Sequence, residues 1–284
     1  MTTVLTEKAA NKAPAQTART RRWIGKLLLY SPNFLRALRD VPVVGQAIHK
    51  LSHSLVRRDE RVWAQIQGGP GQGLWLELSP RTGHDYLRGD VEGATQSVLA
   101  KRLRAGAVFY DLGANIGLFS LLAARLVGPT GQVFSFEPDP EVGVRLRRNI
   151  ERNGFVNVTV VQAGVWSKSC RKIFSAAGAS SPDRGLGKFS VEDEETNGVA
   201  VECVSLDDFI ANAPPPDAIK CDVEGAEAEV LRGASEVLRN RHPWIVCEIH
   251  SERNGRSVRE ILSGAGYRID SVDASHILAV PKTG

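Results

Sequence analysis

The chain has 284 residues, of which 42% are hydrophobic and 24% are charged, and its formal net charge is +4. These values lie in the ordinary range of soluble globular proteins, and the small charge excess does not by itself predict nucleic-acid binding. No apolar run approaches the roughly 18 residues that a membrane-spanning helix needs, and the polar N-terminus does not resemble a secretory signal. We therefore expect a cytoplasmic protein without stable membrane insertion.

The four cysteines are Cys170, Cys203, Cys221 and Cys247, and none of them shows C-x-x-C spacing. Two of them, Cys221 and Cys247, lie in strongly apolar runs, where a free cysteine behaves as a small buried hydrophobe. We expect inert thiols in a reducing compartment, with a disulfide or metal role as the alternative.

The N-terminal region divides into two parts. Residues 1–20 are rich in Ala, Thr, Lys and Asn without periodicity, which predicts a disordered tail. Residues 21–60 contain short apolar and basic stretches separated by Pro32 and Pro42, which predicts a mainly helical N-terminal extension. Such basic amphipathic helices either pack on a neighbouring domain, or on a second copy in a homo-oligomer, or lie on an anionic membrane surface.

Residues 61–284 are expected to form one α/β domain. A β-hairpin is predicted around the Gly/Pro-rich turn at 68–71, and a helix follows over 93–104. Strand-like runs then alternate with helical stretches, which is typical of a doubly wound parallel sheet. The predicted strands cover residues 108–112, 133–137, 158–162, 218–222, 244–249, 267–272 and 277–280. The predicted helices cover residues 116–127, 140–153, 227–239 and 257–263.

Two features depart from regular alternation. Only four residues, 273–276, separate the last two predicted strands, too few for a parallel crossover, so the seven-stranded sheet must end in an antiparallel hairpin. Residues 166–204 form an insertion with a hairpin of its own and a Gly/Ser-rich, acidic loop. Because ligands of open α/β sheets bind beyond the carboxyl ends of the strands, we expect this loop to cover a substrate.

Four acidic residues fall at or just after predicted strand ends, namely Asp111, Glu137, Asp222 and Glu248. Each one alone is explained by a helix cap or a solvated charge. Together they favour a site, because the strand ends of one parallel sheet converge on a single crevice. Glu137 follows the first glycine turn by about two dozen residues, where a carboxylate would bind both ribose hydroxyls of a nucleoside.

The turn after the first strand of the sheet contains two glycines. Gly113 would permit a positive φ, and Gly117 would let the backbone and a ligand approach closely. The spacing of this turn is not G-x-G-x-x-G, which argues against NAD. A P-loop is excluded, because no Gly-Lys-Ser/Thr follows.

Three motifs carry a family resemblance. They are Asp-Leu-Gly-Ala-Asn-Ile-Gly at 111–117, Phe-Glu-Pro at 136–138 and Lys-Cys-Asp-Val-Glu-Gly-Ala-Glu at 220–227. In this order they resemble the FkbM family of S-adenosylmethionine-dependent methyltransferases, and Cys-Glu-Ile-His at 247–250 fits the strand that follows. The resemblance implies a class I methyltransferase fold, a Rossmann-like α/β sheet, with S-adenosylmethionine as the cofactor.

The resemblance also implies roles for single residues. The turn residues and the acid before them would hold the methionine end of the cofactor: Asp111, Gly113, Ala114, Asn115 and Gly117. Other residues would contact the ribose, the adenine or the methionine amine: Glu137, with Asp139 near it, then Gln162 and Ala163, and finally Glu92.

The implied reaction is methyl transfer to a hydroxyl group of a small molecule, such as a sugar, a glycoside or a polyketide-type acceptor. Asp222, Glu224 and His250 are the candidates for a base or for orienting the acceptor. A structural role is the alternative for His250. The three residues could also hold a divalent metal, which no sequence signature indicates.

Three other functions stay open at this point. A nucleic-acid methyltransferase or binder is prompted by the basic N-terminus, but the chain has no base-flipping motif and no aromatic-interleaved basic patch. An NAD-dependent oxidoreductase is disfavoured by the glycine spacing. A membrane-associated scaffold without catalysis would use residues 21–56.

Overall fold

The structure is a computed structural model, and it describes residues 13–30, 57, 59–175, 188–189 and 198–282. The helices are α1 (Ala13–Leu29), α2 (His84–Arg88), α3 (Gly93–Arg102), α4 (Leu118–Val127), α5 (Pro140–Asn153), α6 (Leu206–Phe209), α7 (Glu227–Arg232), α8 (Ser235–Asn240) and α9 (Glu252–Gly264). The strands are β1 (Val62–Gln65), β2 (Trp75–Leu78), β3 (Val108–Leu112), β4 (Gln132–Phe136), β5 (Val158–Val161), β6 (Gly164–Val165), β7 (Cys170–Ser175), β8 (Lys188–Phe189), β9 (Val199–Val204), β10 (Ala218–Cys221), β11 (Trp244–Glu248), β12 (Tyr267–Ser271) and β13 (His276–Pro281).

The N-terminal region differs from its prediction. Because α1 begins at Ala13, helix replaces the disordered tail that was expected up to residue 20. Leu29 at the end of this helix is buried, and the Ala, Gln and Arg residues before it have a high helix propensity. Residues 1–12, and most of the predicted extension from residue 31 to residue 56, lie outside the described residues. None of the described helices is long and apolar enough to cross a membrane.

Seven strands form the central sheet in the order β12-β13-β11-β10-β3-β4-β5. The five strands from β11 to β5 are parallel, and β13 is antiparallel to both of its neighbours. The predicted seven-stranded α/β sheet with a terminal antiparallel hairpin is therefore confirmed. The chain runs outward from β3 through β4 to β5 and then returns to β10 on the other side of β3. The strand order thus reverses between β3 and β10, the place where open α/β sheets bind ligands.

Alternate residues of the central strands pack on opposite faces of the sheet. Phe109 belongs to the apolar cluster under α4 and α5, whereas the next residue, Tyr110, belongs to the cluster on the other face. The Phe209 ring of α6 packs edge-on against Tyr110, with 5.6 Å between ring centroids. The β1–β2 hairpin joins the first face, because Asn149 of α5 accepts the Glu77 amide hydrogen at 2.9 Å.

The predicted helix over residues 227–239 is two helices, α7 and α8. A Cβ at Gly233 would lie 2.2 Å from the carbonyl oxygen of Trp166, so only glycine fits at the junction of the two helices. The Gly233 carbonyl there accepts the Asp207 amide hydrogen at 2.9 Å. Asp207 then caps α8 by accepting the amide hydrogens of Glu236 and Val237 at 3.0 Å.

The insertion contains the hairpin that the sequence predicts, since β7 and β9 pair antiparallel from Cys170–Cys203 to Phe174–Val199. The strands β6 and β8 extend this pair into a separate sheet with the order β6-β9-β7-β8. Most of the loop that was expected to cover a substrate lies outside the described residues, at 176–187 and 190–197.

Candidate functional site

A cavity of about 380 Å³ opens at the carboxyl ends of β3, β4, β10 and β11. The predicted site residues that line it are Glu92, Gly113, Asn115, Glu137, Ala163, Asp222, Glu224 and His250. Its volume is in the range of small-molecule and cofactor sites. Tertiary structure also adds Tyr86 from α2, Phe174 from β7 and Glu248 from the end of β11. Glu248 is one of the four acids that the strand-end pattern marks.

Gly113 brings two loops of the cavity together. Its φ is +77°, as predicted, and its amide donates to the Phe136 carbonyl oxygen at 3.1 Å. A Cβ at this position would lie 1.8 Å from the carbonyl oxygen of Asp222, so only glycine lets the β3–α4 turn contact the loop after β10.

Glu137 is held in one orientation at the cavity wall. Its Oε2 accepts the Asn115 amide hydrogen at 2.9 Å, and its Oε1 accepts the Asp139 amide hydrogen at 2.8 Å. Burial raises the pKa of Glu137 to about 7, against the opposing effect of these two N–H donors. The carboxylate is thus 95% buried yet faces the cavity with lone pairs to spare.

Two predicted site residues lie behind the cavity rather than on its wall. Asp111 is fully buried, and its Oδ2 accepts the Ser120 hydroxyl hydrogen at 2.6 Å. Asp139 is the N-cap of α5, where its Oδ1 accepts the Glu141 amide hydrogen at 2.8 Å. Both residues support groups that line the cavity. Neither of them is itself among the described residues that line it.

Three further predicted residues are placed near the cavity without lining it. Gly117 begins α4 with a φ of +94°, and a Cβ there would meet the Leu146 side chain at 2.4 Å. Its lack of a side chain therefore makes room for Leu146 of α5, while the ligand contact expected at Gly117 stays a prediction. Ala114 donates its amide hydrogen to the Phe136 carbonyl. Gln162 is exposed, and its Nε2 donates to the Glu137 carbonyl oxygen at 2.7 Å.

A buried lysine that sequence reasoning missed stands under the site. The Lys220 Nζ lies 2.9 Å from Asp222 Oδ2 and 3.8 Å from Asp111 Oδ1, and its side chain is 4% exposed. Burial alone lowers the pKa of Lys220, but the carboxylates of Asp222 and Asp111 outweigh it and raise that pKa well above its ordinary value. The sequence feature that could have identified Lys220 is its position as a single charged residue inside the apolar run of β10.

Lys220 in turn lowers the pKa of Asp222. Burial by itself raises the pKa of Asp222, but the Lys220 ammonium outweighs it and holds that pKa below its ordinary value. The Oδ1 atom of Asp222 is buried and accepts no hydrogen bond from the residues that the structure describes. An ionised oxygen with free lone pairs therefore stands at the cavity wall.

His250 is surrounded by carboxylates. Its Nε2 lies 3.4 Å from Glu224, 3.6 Å from Asp222 and 4.0 Å from Glu248, while its Nδ1 lies 2.8 Å from Glu227. The hydrogen bond to Glu227 is the main cause that raises the pKa of His250 to about 9. The structure thus brings the three predicted catalytic residues together, and Nε2 is the nitrogen of His250 that faces Asp222 and Glu224.

A second imidazole, His276, was not predicted as a site residue. Its Nε2 lies 3.1 Å from Glu92 and its Nδ1 lies 2.8 Å from Asp273. Burial lowers the pKa of His276, but the hydrogen bonds to these two carboxylates outweigh it and raise the pKa to about 9. His276 begins β13 after the four-residue turn at 272–275, and the antiparallel pairing with Glu248 brings it to the site.

Two groups of side chains have ligand atoms within 4.8 Å of one another, as a metal ion would require: Glu92, Glu248 and His276, and Asp222, Glu248 and His250. In each group the imidazole already lies within ion-pair distance of the carboxylates. Protonated imidazoles can therefore balance the carboxylate charge without an ion, and we assign no metal ligands.

Backbone conformation also marks this cavity. In the described part of the chain, four non-glycine residues have a positive φ, and three of them line the cavity: Glu92, Asn115 and Glu224. Such conformations are retained where the surroundings over-determine them, and they cluster at functional sites. The site is thus built from loops that tertiary contacts force into place.

Comparison with known proteins assigns the family. Residues 111–269 match the profile of the Methyltransferase FkbM domain. The hexuronic acid methyltransferase AglP of Haloferax volcanii is 30% identical over 56% of this chain, and the match spans 62% of that protein. The 31-O-demethyl-FK506 methyltransferase FkbM of Streptomyces tacrolimicus is 30% identical over 72% of this chain and 85% of its own length.

Among solved structures, the chain is similar to Methyltransferase FkbM from Methylobacillus flagellatus KT, with 21% identity and a TM-score of 0.46. This likeness covers 61% of this chain and 43% of that one. The profile match covers more than half of the chain and includes both loops that carry the cavity. The chain is a methyltransferase and belongs to the FkbM family.

Proposed function

We propose that the protein is an S-adenosylmethionine-dependent O-methyltransferase whose acceptor is a hydroxyl group of a small molecule. The observation that carries this proposal is that one cavity at the β3–β10 reversal holds both groups of predicted site residues. One wall presents the buried Glu137 carboxylate and the Gly113 turn, and the other presents Asp222, Glu224 and His250.

The lining residues fit the cofactor. Glu137 offers fixed carboxylate lone pairs for two ribose hydroxyls, and Ala163 borders the space left for the adenine. Gly113, Asn115 and Glu92 would hold the methionine end. When bound, S-adenosylmethionine supplies a methyl group on a cationic sulfonium, which becomes a neutral thioether once the acceptor oxygen has taken the methyl. Cavity carboxylates favour that cation.

The charges of the cavity favour a hydroxyl acceptor over a carboxylate acceptor. No lysine or arginine is among the described residues that line the cavity. Its lining carboxylates Asp222, Glu224 and Glu248 outnumber the one lining imidazole, His250. A carboxylate or phosphate on the acceptor would meet like charges here, while a hydroxyl group can donate to them. The Streptomyces relative is a 31-O-demethyl-FK506 methyltransferase, consistent with a hydroxyl acceptor, whereas the Haloferax relative is a hexuronic acid methyltransferase.

A matched acceptor screen tests the proposal. We expect radiolabel from S-adenosylmethionine to enter neutral glycosides or hydroxylated polyketides, and not the uronic acid with the same ring. Calorimetry with S-adenosylhomocysteine and with NAD checks the cofactor separately. Binding of NAD alone, or methylation of the uronic acid in preference to its neutral partner, would contradict the proposal.

Replacing Glu137 with alanine should weaken S-adenosylhomocysteine binding at least tenfold. Hydrogen bonds to a charged group contribute about 1.5–3 kcal/mol each, and about 1.4 kcal/mol is a factor of ten. Calorimetric titration measures the change. Glu141→Ala is the matched control, because Glu141 is exposed on the first turn of α5 and does not line the described cavity. Unchanged affinity in Glu137→Ala would refute the ribose role.

A further inference from the structure

We infer that Glu227 is the positioning residue for His250: its buried carboxylate holds the imidazole with Nδ1 protonated, so that Nε2 is the atom that accepts the acceptor's proton. This inference rests on the proposed function. It assigns a role to the last residue of the 220–227 motif, which the sequence marks only as part of a family pattern.

Glu227 is fully buried and ties three parts of the chain together. Its Oε1 accepts the Gly225 amide hydrogen at 2.9 Å, from the loop that carries Asp222 and Glu224. The same oxygen lies 2.8 Å from His250 Nδ1, after β11. Its Oε2 accepts a hydrogen bond from the Asn254 side chain of α9. One carboxylate therefore sets the positions of the loop, the imidazole and the helix relative to one another.

The contact decides which nitrogen carries the proton. Glu227 is a fully buried carboxylate whose other partners are all N–H donors, so it is an acceptor toward His250 and Nδ1 must donate. When His250 is neutral, the lone pair is then on Nε2, the nitrogen nearer to Asp222 and Glu224. This is the arrangement of a base held by a third group.

The proton balance follows from this arrangement. The acceptor O–H bond breaks as its oxygen bonds to the methyl carbon, and the proton passes to His250 Nε2. The imidazolium that forms is stabilised by Glu227 on one side and by Asp222, Glu224 and Glu248 on the other. The proton then leaves to solvent, because the His250 side chain is 19% exposed.

The same carboxylates predict the pH dependence. Because they raise the pKa of His250 to about 9, the imidazole is protonated at neutral pH and cannot accept a proton. We expect kcat to rise with pH through about 9 and then to level off. Glu227→Gln removes the charge but keeps an oxygen for the Gly225 amide. This variant should lower the midpoint of the kcat–pH profile by about 1 to 3 pH units, the usual effect of one opposite charge on a pKa.

Nitrogen-detected NMR of His250 in the full-length protein tests the contact without any acceptor. We expect Nδ1 to stay protonated across the titration, Nε2 to be the titrating atom, and Glu227→Gln to lower the pKa. Glu229→Gln is the matched control, because it removes the same charge two residues away, where the carboxylate pairs with Arg232 instead. A neutral His250 protonated on Nε2 in the unmodified protein would overturn the inference.

Kinetics separate positioning from a merely structural role. Glu227→Gln should lower the plateau that kcat reaches at high pH and shift the midpoint of the pH profile downward. It should have little further effect in a His250→Gln background, because the two residues act as one unit. Equal losses in both backgrounds, or an unshifted profile, would overturn the inference. If no hydroxyl acceptor is methylated, the proposed function fails, while the NMR titration still decides the contact.

Discussion

Replacing Lys220 with methionine should lower the free energy of unfolding by about 3 to 5 kcal/mol, the usual effect of breaking a buried ion pair. Methionine fills a similar volume but leaves Asp111, which is fully buried, and Asp222 without a counter-charge. Two uncompensated carboxylates would then repel each other at the carboxyl ends of β3 and β10. Urea unfolding at neutral pH measures the loss.

Arg171→Met is the control for this prediction. Arg171 also pairs with a carboxylate, Glu202 at 2.9 Å, but both side chains are more than 60% exposed. Exposed pairs contribute about 0.2–1 kcal/mol, so this variant should be nearly as stable as the unmodified protein. Equal effects of the two substitutions would mean that Lys220 is not the counter-charge of the buried carboxylates.

Replacing Gly113 with alanine should destabilise the protein by about 2 to 5 kcal/mol and weaken S-adenosylhomocysteine binding. A residue with a Cβ loses about 1–2 kcal/mol in the left-handed conformation that Gly113 adopts. The contact at 1.8 Å with the Asp222 carbonyl oxygen adds about 1–3 kcal/mol, the usual effect of overpacking. Relief of that contact pushes the Asp222 loop away from the cofactor turn.

Gly154→Ala isolates the contact from the conformation. Gly154 has a φ of +70°, close to the +77° of Gly113, but no atom lies within 4 Å of a Cβ placed there. We expect only the conformational loss, about 1–2 kcal/mol, and unchanged S-adenosylhomocysteine affinity. Urea unfolding and calorimetric titration measure both variants. If Gly113→Ala behaves like Gly154→Ala in both assays, the two loops do not depend on each other.

Sequence alone predicts most of the central sheet, because each buried strand is an apolar run that needs no partner to be recognised. The run from Val108 to Leu112 is β3 without change, and the four-residue turn before β13 requires the antiparallel hairpin that is observed. Local signals also predict α5 from end to end, from the Asp139 cap to Gly154. The predicted helix over 227–239 is divided at Gly233, where the contacts with Trp166 and Asp207 come from residues distant in sequence.

The cavity shows the same division between local and distant causes. The sequence by itself determined that acidic residues stand at the ends of neighbouring strands, and strand ends of one sheet must converge. Only the tertiary structure decided that Lys220 lies under Asp222, that Glu227 holds His250, and that Gly117 makes room for Leu146. The physical reason is that burial, charge pairing and close contact depend on distances between residues that lie far apart in the chain or on different secondary structure elements.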